Sequence, residues 1–360
     1  MTIFLDESIG EHCKTNDLTN DEKILFSELI FANKKGKCYL CGNLNSIDRL
    51  IEILDETSSN LLKIVRDRYY KTKTIVDLLE NVLVLTYNDT PVVPNFIEGK
   101  YKSLKICDAI NCSFENACTL LCENLSDCKF YKLIAERYRY DNNAKGVQIS
   151  FHEELGGGNP IYTVFSKCVK DEKAFTLCIT DSDMKYWHTH KYPNNPPLGG
   201  TAKKLNETYR ELCRTEPIAL FAFYCLNVHE AENLIPLDVL DILAETLVKD
   251  MYPGLNYLKK MISSGNGDSI LYYDFKEGII FKGNDPFNCY WKEISNSVGD
   301  SNMPKLCNKT LDKAIEFLQS KNGDKDNVDV IKIDDYLISL WNDIGKKVFS
   351  WGCAAEPTRA

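Results

Sequence analysis

Apolar residues along this chain follow two patterns. In some stretches they recur three and four positions apart, as on one helix face; in others they form short unbroken runs, as in strands covered on both sides. The helical spacing predicts helices over Asn20–Phe31 and Ser46–Leu54, with Ser46 as the second N-cap. The run Asn81–Tyr87 (NVLVLTY) predicts a strand, and the NDTPVVPN after it a loop.

From residue 111 the patterns alternate. Cys118–Cys122 (CTLLC) predicts a strand, followed by a helix capped at Ser126 with Phe130, Leu133 and Ile134 on one face. Phe175–Ile179 (FTLCI) predicts a second strand, Ala202–Cys213 a helix and Ile218–Val228 a third strand. Such alternation argues for a mostly parallel sheet with helices on its faces. Beyond residue 245, helices are expected over Pro253–Met261, Lys309–Leu318 and Ile333–Trp341, and a strand pair over Leu271–Phe281 broken at Gly278. Asp324–Asp335 is acidic but fails as a calcium loop, with Val328 at its fifth position and no Gly at its sixth. The closing AAEPTRA reads as disordered. There is no internal repeat. The expected organisation is an α/β N-terminal region (1–110), an α/β domain (111–245) and a mixed, mainly helical C-terminal region (246–360).

Composition narrows the class. The 360 residues are 44% hydrophobic and 26% charged, a globular balance. With 43 Lys+Arg against 52 Asp+Glu the net charge is −9, which argues against a surface that is basic throughout but leaves room for a basic groove. The longest apolar run, Ile218–Leu226, is too short to span a bilayer, and MTIFLDESIGEH lacks the basic end and apolar stretch of a secretion signal. No membrane association is expected. Fifteen cysteines, an odd number, suit reduced thiols in the cytoplasm better than a disulfide framework. Cys38 and Cys41 (CxxC) with Cys107 and Cys112 form a candidate Zn²⁺ set; the alternative is small apolar residues buried in strands.

The placement of acids carries more chemistry. Glu123 ends CTLLC, Asp181 and Asp183 follow FTLCI after Thr180, and Glu230 and Glu232 follow the strand ending at Val228. In open parallel sheets the carboxyl ends of strands face one side, where ligands bind. Carboxylates gathered there call for a cation, and Mg²⁺ or Mn²⁺ held by carboxylates beside phosphates suits phosphoryl chemistry. Gly156, Gly157 and Gly158 precede Asn159, Pro160 and a helical stretch from Ile161 to Val169, a turn able to approach a phosphate. Solvated loop acids and a merely permissive Gly turn are the plain alternatives.

These stretches resemble a known domain. LLCENLSDCKFYKLI resembles the opening of a TOPRIM domain, GGGNPIYTVF and ITDSD its later Gly-rich turn and DxD. FYCLNVHEAENLIP resembles the downstream acidic segment of the TOPRIM nucleases of antiviral defence, the OLD-like enzymes and the stand-alone effector of PARIS-type systems. YYDFKEGI is similar to a segment that follows in the stand-alone group. The resemblance covers roughly residues 115–280 and departs at Asn124, where the motif has Gly. It implies a Rossmann-like TOPRIM core. Glu123 becomes metal ligand or general acid/base, Asp181 and Asp183 the metal-binding pair, Asp127 a support to the metal shell, and Glu230 and Glu232 further candidate ligands. Lys276 is a candidate for neutralising phosphate charge, with a solvated surface lysine as the alternative.

His188 and His190 lie just past the DxD in a Pro/Asn-rich stretch that reads as a surface loop. His229 adjoins Glu230, but alternation along an extended segment points it the other way. His152 is a candidate of the same kind as His229. Candidate contacts to nucleic acid are Lys63, Arg66, Arg68, Lys71 and Lys73 around Tyr69 and Tyr70; Lys129, Lys132, Arg137 and Arg139; and Lys203, Lys204, Arg210 and Arg214. Solvated helix faces are the alternative, preferred for the first group.

The expectation is thus a metal-dependent endonuclease, the toxic effector of a prokaryotic antiviral system, acting on DNA or RNA, tRNA included. The resemblance implies control by a partner ATPase of the ABC type. No G-x-x-x-x-G-K-[ST] loop occurs in the chain, so that ATPase would be a separate protein. A homodimer is left open. The competing expectations are a non-cleaving regulatory or scaffold subunit with a degenerate site, and a nucleotide-sugar transferase using the DSD.

Overall fold

A computed structural model describes residues 1–158, 160–187, 198–246, 249–307, 310–322 and 325–358. It shows an α/β protein with two parallel four-stranded sheets and a mainly helical C-terminal region. By contact density the chain divides into two compact units. One comprises Met1–Cys178, Glu207–Phe223 and Ile344–Ala360; the other comprises Ile179–Asn206 and Tyr224–Asp343.

The first sheet contains β1 (Thr2–Leu5), β2 (Tyr39–Gly42), β3 (Val82–Thr86) and β4 (Tyr101–Lys105), in the spatial order β2-β1-β3-β4. β1 and β3 are buried along their whole length, as central parallel strands covered on both faces must be. Helices α1 (Glu7–Thr15), α2 (Asn20–Lys34), α3 (Leu44–Ile53), α4 (Glu56–Asp67) and α5 (Tyr69–Asp77) connect them, and the short α6 (Ile106–Ala109) follows β4. Their starts are chemically marked: Asp6 caps α1, Thr19 and Glu22 form a capping box on α2, and Asp55 caps α4.

Ser46 is not the cap of α3. Asn43 accepts from the Asn45 N–H there, and Ser46 sits one turn in, fully buried, donating to the Asp6 carbonyl at 2.6 Å. An N-cap must lie outside the helix with extended backbone, and Asn43 meets that condition with φ −60° and ψ 134°.

The second sheet has the order β7-β5-β8-β9. Along the chain it runs β5 (Thr119–Cys122), α7 (Leu125–Asp141), β6 (Val147–Ile149), β7 (His152–Leu155), α8 (Ile161–Lys170), β8 (Thr176–Thr180), α9 (Gly200–Thr215) and β9 (Phe221–Cys225). β6 belongs to a separate pair. β5 pairs in parallel with β7 and with β8, in the register Leu121↔Glu154 and Leu121↔Cys178. The strand order therefore reverses at β5/β8, just as it does at β1/β3 in the first sheet. In open α/β sheets ligands gather outside the carboxyl ends of strands at such a reversal. The predicted strands form with ends moved by a few residues. The helix after β5 starts earlier than expected: Asn124, not Ser126, is its N-cap.

The C-terminal region contains α10 (Leu237–Thr246), α11 (Tyr252–Ser263), α12 (Pro286–Val298), α13 (Thr310–Gln319), a two-residue hairpin β10/β11 (Lys321–Asn322 with Lys325–Asp326), α14 (Asn327–Val330), α15 (Asp335–Gly352) and β12 (Cys353–Ala355). Trp291, Tyr273, Tyr257 and Phe275 form its buried centre, and the Trp291 Nε1 donates to the Lys185 carbonyl at 2.8 Å.

Two expectations fail here. Leu271–Phe281 is not a strand pair. Gly267–Tyr272 is a 3-10 helix, and the Asp274 carboxylate then accepts the N–H groups of Lys276 and Glu277, closing a turn in place of a ladder. Only the isolated bridge Ile279↔Met303 remains. Nor is the C-terminus disordered through its first residues. Cys353–Ala355 pairs antiparallel with β6, and the small Ala354 and Ala355 are buried there.

Candidate functional site

The first candidate elements lie at the strand ends of the second sheet. Glu123 directly follows β5 and is half-buried. Asn124 follows with extended backbone, and its N–H donates to the Asp127 carboxylate at 3.0 Å. Asp127 thus closes a capping box at the N-terminus of α7, where a carboxylate is favoured by the free N–H groups and the helix dipole. The Gly turn crosses the end of β5. Gly156 N–H donates to the Cys122 carbonyl at 2.8 Å and Gly157 N–H to the Glu123 carbonyl at 3.0 Å. Two of the three amides expected to face a phosphate therefore extend the β5/β7 ladder. A Cβ on Gly156 would fall 2.4 Å from Ile161 Cγ1, and Gly157 has φ +69°, so both positions are tied to glycine by geometry. The helix after this turn has Pro160 as its N-cap rather than at its first position; Asn159 lies outside the described residues.

Asp181 and Asp183 follow β8, separated by Ser182. Ser182 is fully buried and bonded twice to the Val228 carbonyl, by its N–H at 3.1 Å and its hydroxyl at 2.6 Å. Leu226 N–H donates to the Thr180 carbonyl at 2.8 Å. The DSD turn is thereby fastened to the segment leaving β9. Asp183 takes φ +53°, a left-handed conformation that Asp tolerates better than most residues. Both aspartates act on the same neighbour: the Cys225 thiol, which donates to the Asp181 carbonyl, is pushed up to about 12 by burial and by Asp181 and Asp183.

Glu230, Glu232 and Lys276 come together. Lys276 Nζ lies 3.1 Å from Glu230 Oε1 and 3.2 Å from Glu232 Oε1. Lys276 is therefore no free surface lysine: burial pulls its ammonium down, but Glu232 and Glu230 outweigh this and hold it above the ordinary lysine value. Burial pushes the Glu230 carboxyl up, as does the charge of Glu232, while Lys276 offsets part of this.

The sequence reading assigned no role to two further residues of this cluster. Asn233 receives the Glu230 N–H on Oδ1 at 2.9 Å and donates through Nδ2 to the carbonyls of Ile270 at 2.7 Å and Tyr273 at 2.8 Å. It clamps the HEAEN turn to the YYDFKEG turn. Asp274 brings Oδ2 within 3.6 Å of His229 Nε2. Burial pushes Asp274 up, but the imidazole and the N–H groups of Glu277 and Lys276 outweigh it and hold the carboxyl below its usual range. Alternation was expected to point His229 away. Glu230 instead starts a 3-10 turn (Ala231–Leu234), so the period of two ends before it matters. An Asp two residues before Lys-Glu-Gly is a turn signature, and that was the legible trace of Asp274.

The zinc candidates are dispersed. Cys38 and Cys41 lie buried in and beside β2, their thiols donating to the carbonyls of Leu29 and Ile3, whereas Cys107 is exposed on α6 and Cys112 donates to the Asp108 carbonyl. Burial pushes the Cys38 thiol up to about 12. Among the described residues, the one His/Cys/Asp/Glu group with metal-ligand spacing is His229, Glu230 and Asp274.

Many of the basic candidates are engaged by acids: Arg66 with Asp48, Lys132 with Glu153, Arg137 with Asp141, Arg139 with Glu136. Arg68 lies over the Tyr39 ring and Lys71 over that of Tyr70. Lys63 donates to Asn60, and Lys129 is exposed on α7. Lys203, Lys204, Arg210 and Arg214 are carried by α9. His152 is paired with Glu154 at 3.3 Å. His188 and His190 lie outside the described residues. No described helix is long and apolar enough to cross a membrane. Comparison of the chain with family models, curated proteins and solved structures finds no match.

Proposed function

We propose that the chain is an Mg²⁺- or Mn²⁺-dependent nuclease with a TOPRIM core, the effector of a prokaryotic antiviral system. The observation that supports this reading best is topological. β5 and β8 are adjacent parallel strands at the order reversal, and each is followed directly by the acids of the TOPRIM pattern, Glu123 after β5 and Asp181/Asp183 after β8. In the segment beyond β9, Lys276 pairs with Glu230 and Glu232.

In this reading Glu123 has the part of the motif glutamate, and Asp181 and Asp183 that of the metal-binding pair. Bound Mg²⁺ polarises the phosphodiester and lowers the pKa of attacking water. Ser182 holds the two aspartates in register through Val228. Asp127, committed to the α7 cap, orients the Glu123 turn. Lys276 is a further positive charge, held by Glu230 and Glu232. The substrate is DNA or RNA, tRNA included, and activity is held in check by a separate ABC-type ATPase.

The test is cleavage of DNA, RNA and tRNA in Mg²⁺ or Mn²⁺, with and without any ABC-type ATPase encoded beside the gene. Glu123→Ala and the double change Asp181→Ala/Asp183→Ala are expected to lower the rate about 100-fold or more. A folded, clean protein that cuts none of these substrates under either condition overturns the reading. That result favours a non-cleaving regulatory subunit, the alternative to which the engagement of Glu230 and Glu232 by Lys276 lends support.

A further inference from the structure

We propose that His229, Glu230 and Asp274 form a binding site for a first-row transition-metal dication such as Mn²⁺ or Zn²⁺, made by ligands other than the DSD aspartates. One ligand atom from each of the three residues lies within 4.8 Å of those of the other two. That spacing suits a shared ion, since metal–ligand bonds of about 2.0–2.2 Å place ligand atoms roughly 3–4 Å apart.

The state of the individual atoms points to a ligand. His229 is 5% exposed, and its Nδ1 is buried with no hydrogen-bond partner. Its Nε2 faces Asp274 Oδ2 at 3.6 Å. A buried imidazole nitrogen without a partner costs free energy unless something else engages it. Glu230 divides its oxygens: Oε1 takes Lys276, while Oε2 is buried with no partner. Asp274 does the same, with Oδ1 on the Lys276 and Glu277 amides and Oδ2 toward His229. Lys276 and the two amides thus fix one oxygen of each carboxylate and leave the other for the ion.

Charge agrees. Glu230, Glu232 and Asp274 against Lys276 leave an excess of negative charge that a dication offsets. The imidazole sets the preference, because nitrogen ligands favour Mn²⁺, Zn²⁺ or Co²⁺ over Mg²⁺, which prefers oxygen throughout. The site is also held rigid. Asn233 binds the Glu230 turn to the Ile270 and Tyr273 carbonyls, and the His229 N–H donates to the Leu271 carbonyl at 2.8 Å. Such support is what metal centres require of their surroundings.

The experiment uses the full-length chain, stripped of metal by a chelator, with Co²⁺ as an optical probe and Mn²⁺ as a paramagnetic one. One Co²⁺ per chain with visible ligand-field absorption is expected, and Mn²⁺ should show ¹⁴N coupling from an imidazole. His229→Gln is expected to abolish the ¹⁴N coupling and to weaken Co²⁺ binding about 10-fold or more. Asp274→Asn should also weaken Co²⁺ binding; it keeps an oxygen for the Lys276 and Glu277 amides, so the turn survives and thermal unfolding verifies the fold. Asp181→Asn/Asp183→Asn should leave the Co²⁺ bands in place even where it ends cleavage. Absence of ¹⁴N coupling in the unaltered protein overturns the proposal, as does Co²⁺ absorption lost with the aspartate pair but retained in Asp274→Asn. Cleavage is not the readout, so failure of the nuclease reading leaves these outcomes interpretable.

Discussion

Ser182 is bonded twice to one carbonyl oxygen, that of Val228: through its N–H at 3.1 Å and its hydroxyl at 2.6 Å. The backbone bond joins two chain segments, and the side-chain bond fixes how the flanking aspartates emerge from the turn. Ser182→Ala removes the second bond in a fully buried place. The expected loss of stability is about 1 kcal/mol, read as a lower urea midpoint with unchanged slope. An unchanged midpoint would show that the hydroxyl contributes nothing.

Gly199 controls Asp183 from the other side. Its N–H donates to the Ser182 carbonyl at 2.9 Å, and a Cβ there would fall 1.9 Å from Asp183 Oδ2 and 2.6 Å from Asp183 Cβ. Gly199→Ala must displace Asp183 and, if the proposed nuclease activity is present, is expected to lower it about 10–100-fold. Gly200→Ala is the matched control, since a Cβ there meets nothing within 4 Å. Equal effects of the two changes would refute the link to Asp183.

Asn233 uses both ends of its amide. Asn233→Ala would leave the Glu230 amide and the carbonyls of Ile270 and Tyr273 without their partner, at a cost of about 2–3 kcal/mol. Asn233→Asp keeps the acceptor for Glu230 N–H but loses both donated bonds. It should be destabilising too, with added repulsion from Glu230 that weakens as pH falls. Differential scanning calorimetry of the two variants across pH separates these contributions.

Glu22 makes stability depend on acidity in the first sheet. Burial pushes its carboxyl up, but hydrogen bonds from Thr19 N–H, Tyr87 Oη and Thr19 Oγ1 outweigh it, so its pKa in the fold is lowered. A group whose folded pKa lies below its unfolded one stabilises the fold above the unfolded value, about 4.3, and loses that contribution as pH falls through the folded value. Glu22→Gln should cost about 2 kcal/mol at neutral pH and progressively less below pH ~4. Urea midpoints at pH 7 and pH 3 test this; a pH-independent difference would contradict it.

The cysteines should divide by reactivity. Burial pushes Cys38 and Cys118 up to about 12, and Cys225 likewise with help from Asp181 and Asp183, so these stay protonated at pH 8. Cys107 and Cys213 are exposed. Iodoacetamide at pH 8 is expected to modify these two first, mapped by mass spectrometry. Early modification of Cys225 would contradict its burial.

Strands such as VLVLT and TLCIT were legible because a strand covered on both faces is apolar throughout. Two of the edge strands were not. YKSLK (β4) and HEEL (β7) face solvent on one side, so their polar side chains look like loop. The same limit applied at helix starts. Asn43 and Asn124 are as good caps as Ser46 and Ser126, and which one stands outside the helix depends on where the preceding strand ends.

What the sequence determined by itself was the class, through alternating strand and helix periods, and the position of acids immediately after apolar runs, because both are local properties. Only the tertiary structure decided the strand order with its two reversals, the use of the Gly156 and Gly157 amides within the ladder, and the meeting of His229 with Asp274 and of Lys276 with Glu230. Those pairings join residues about 45 positions apart. They exist because Asn233 satisfies three backbone groups at once across two turns, a constraint that appears only when the turns are packed.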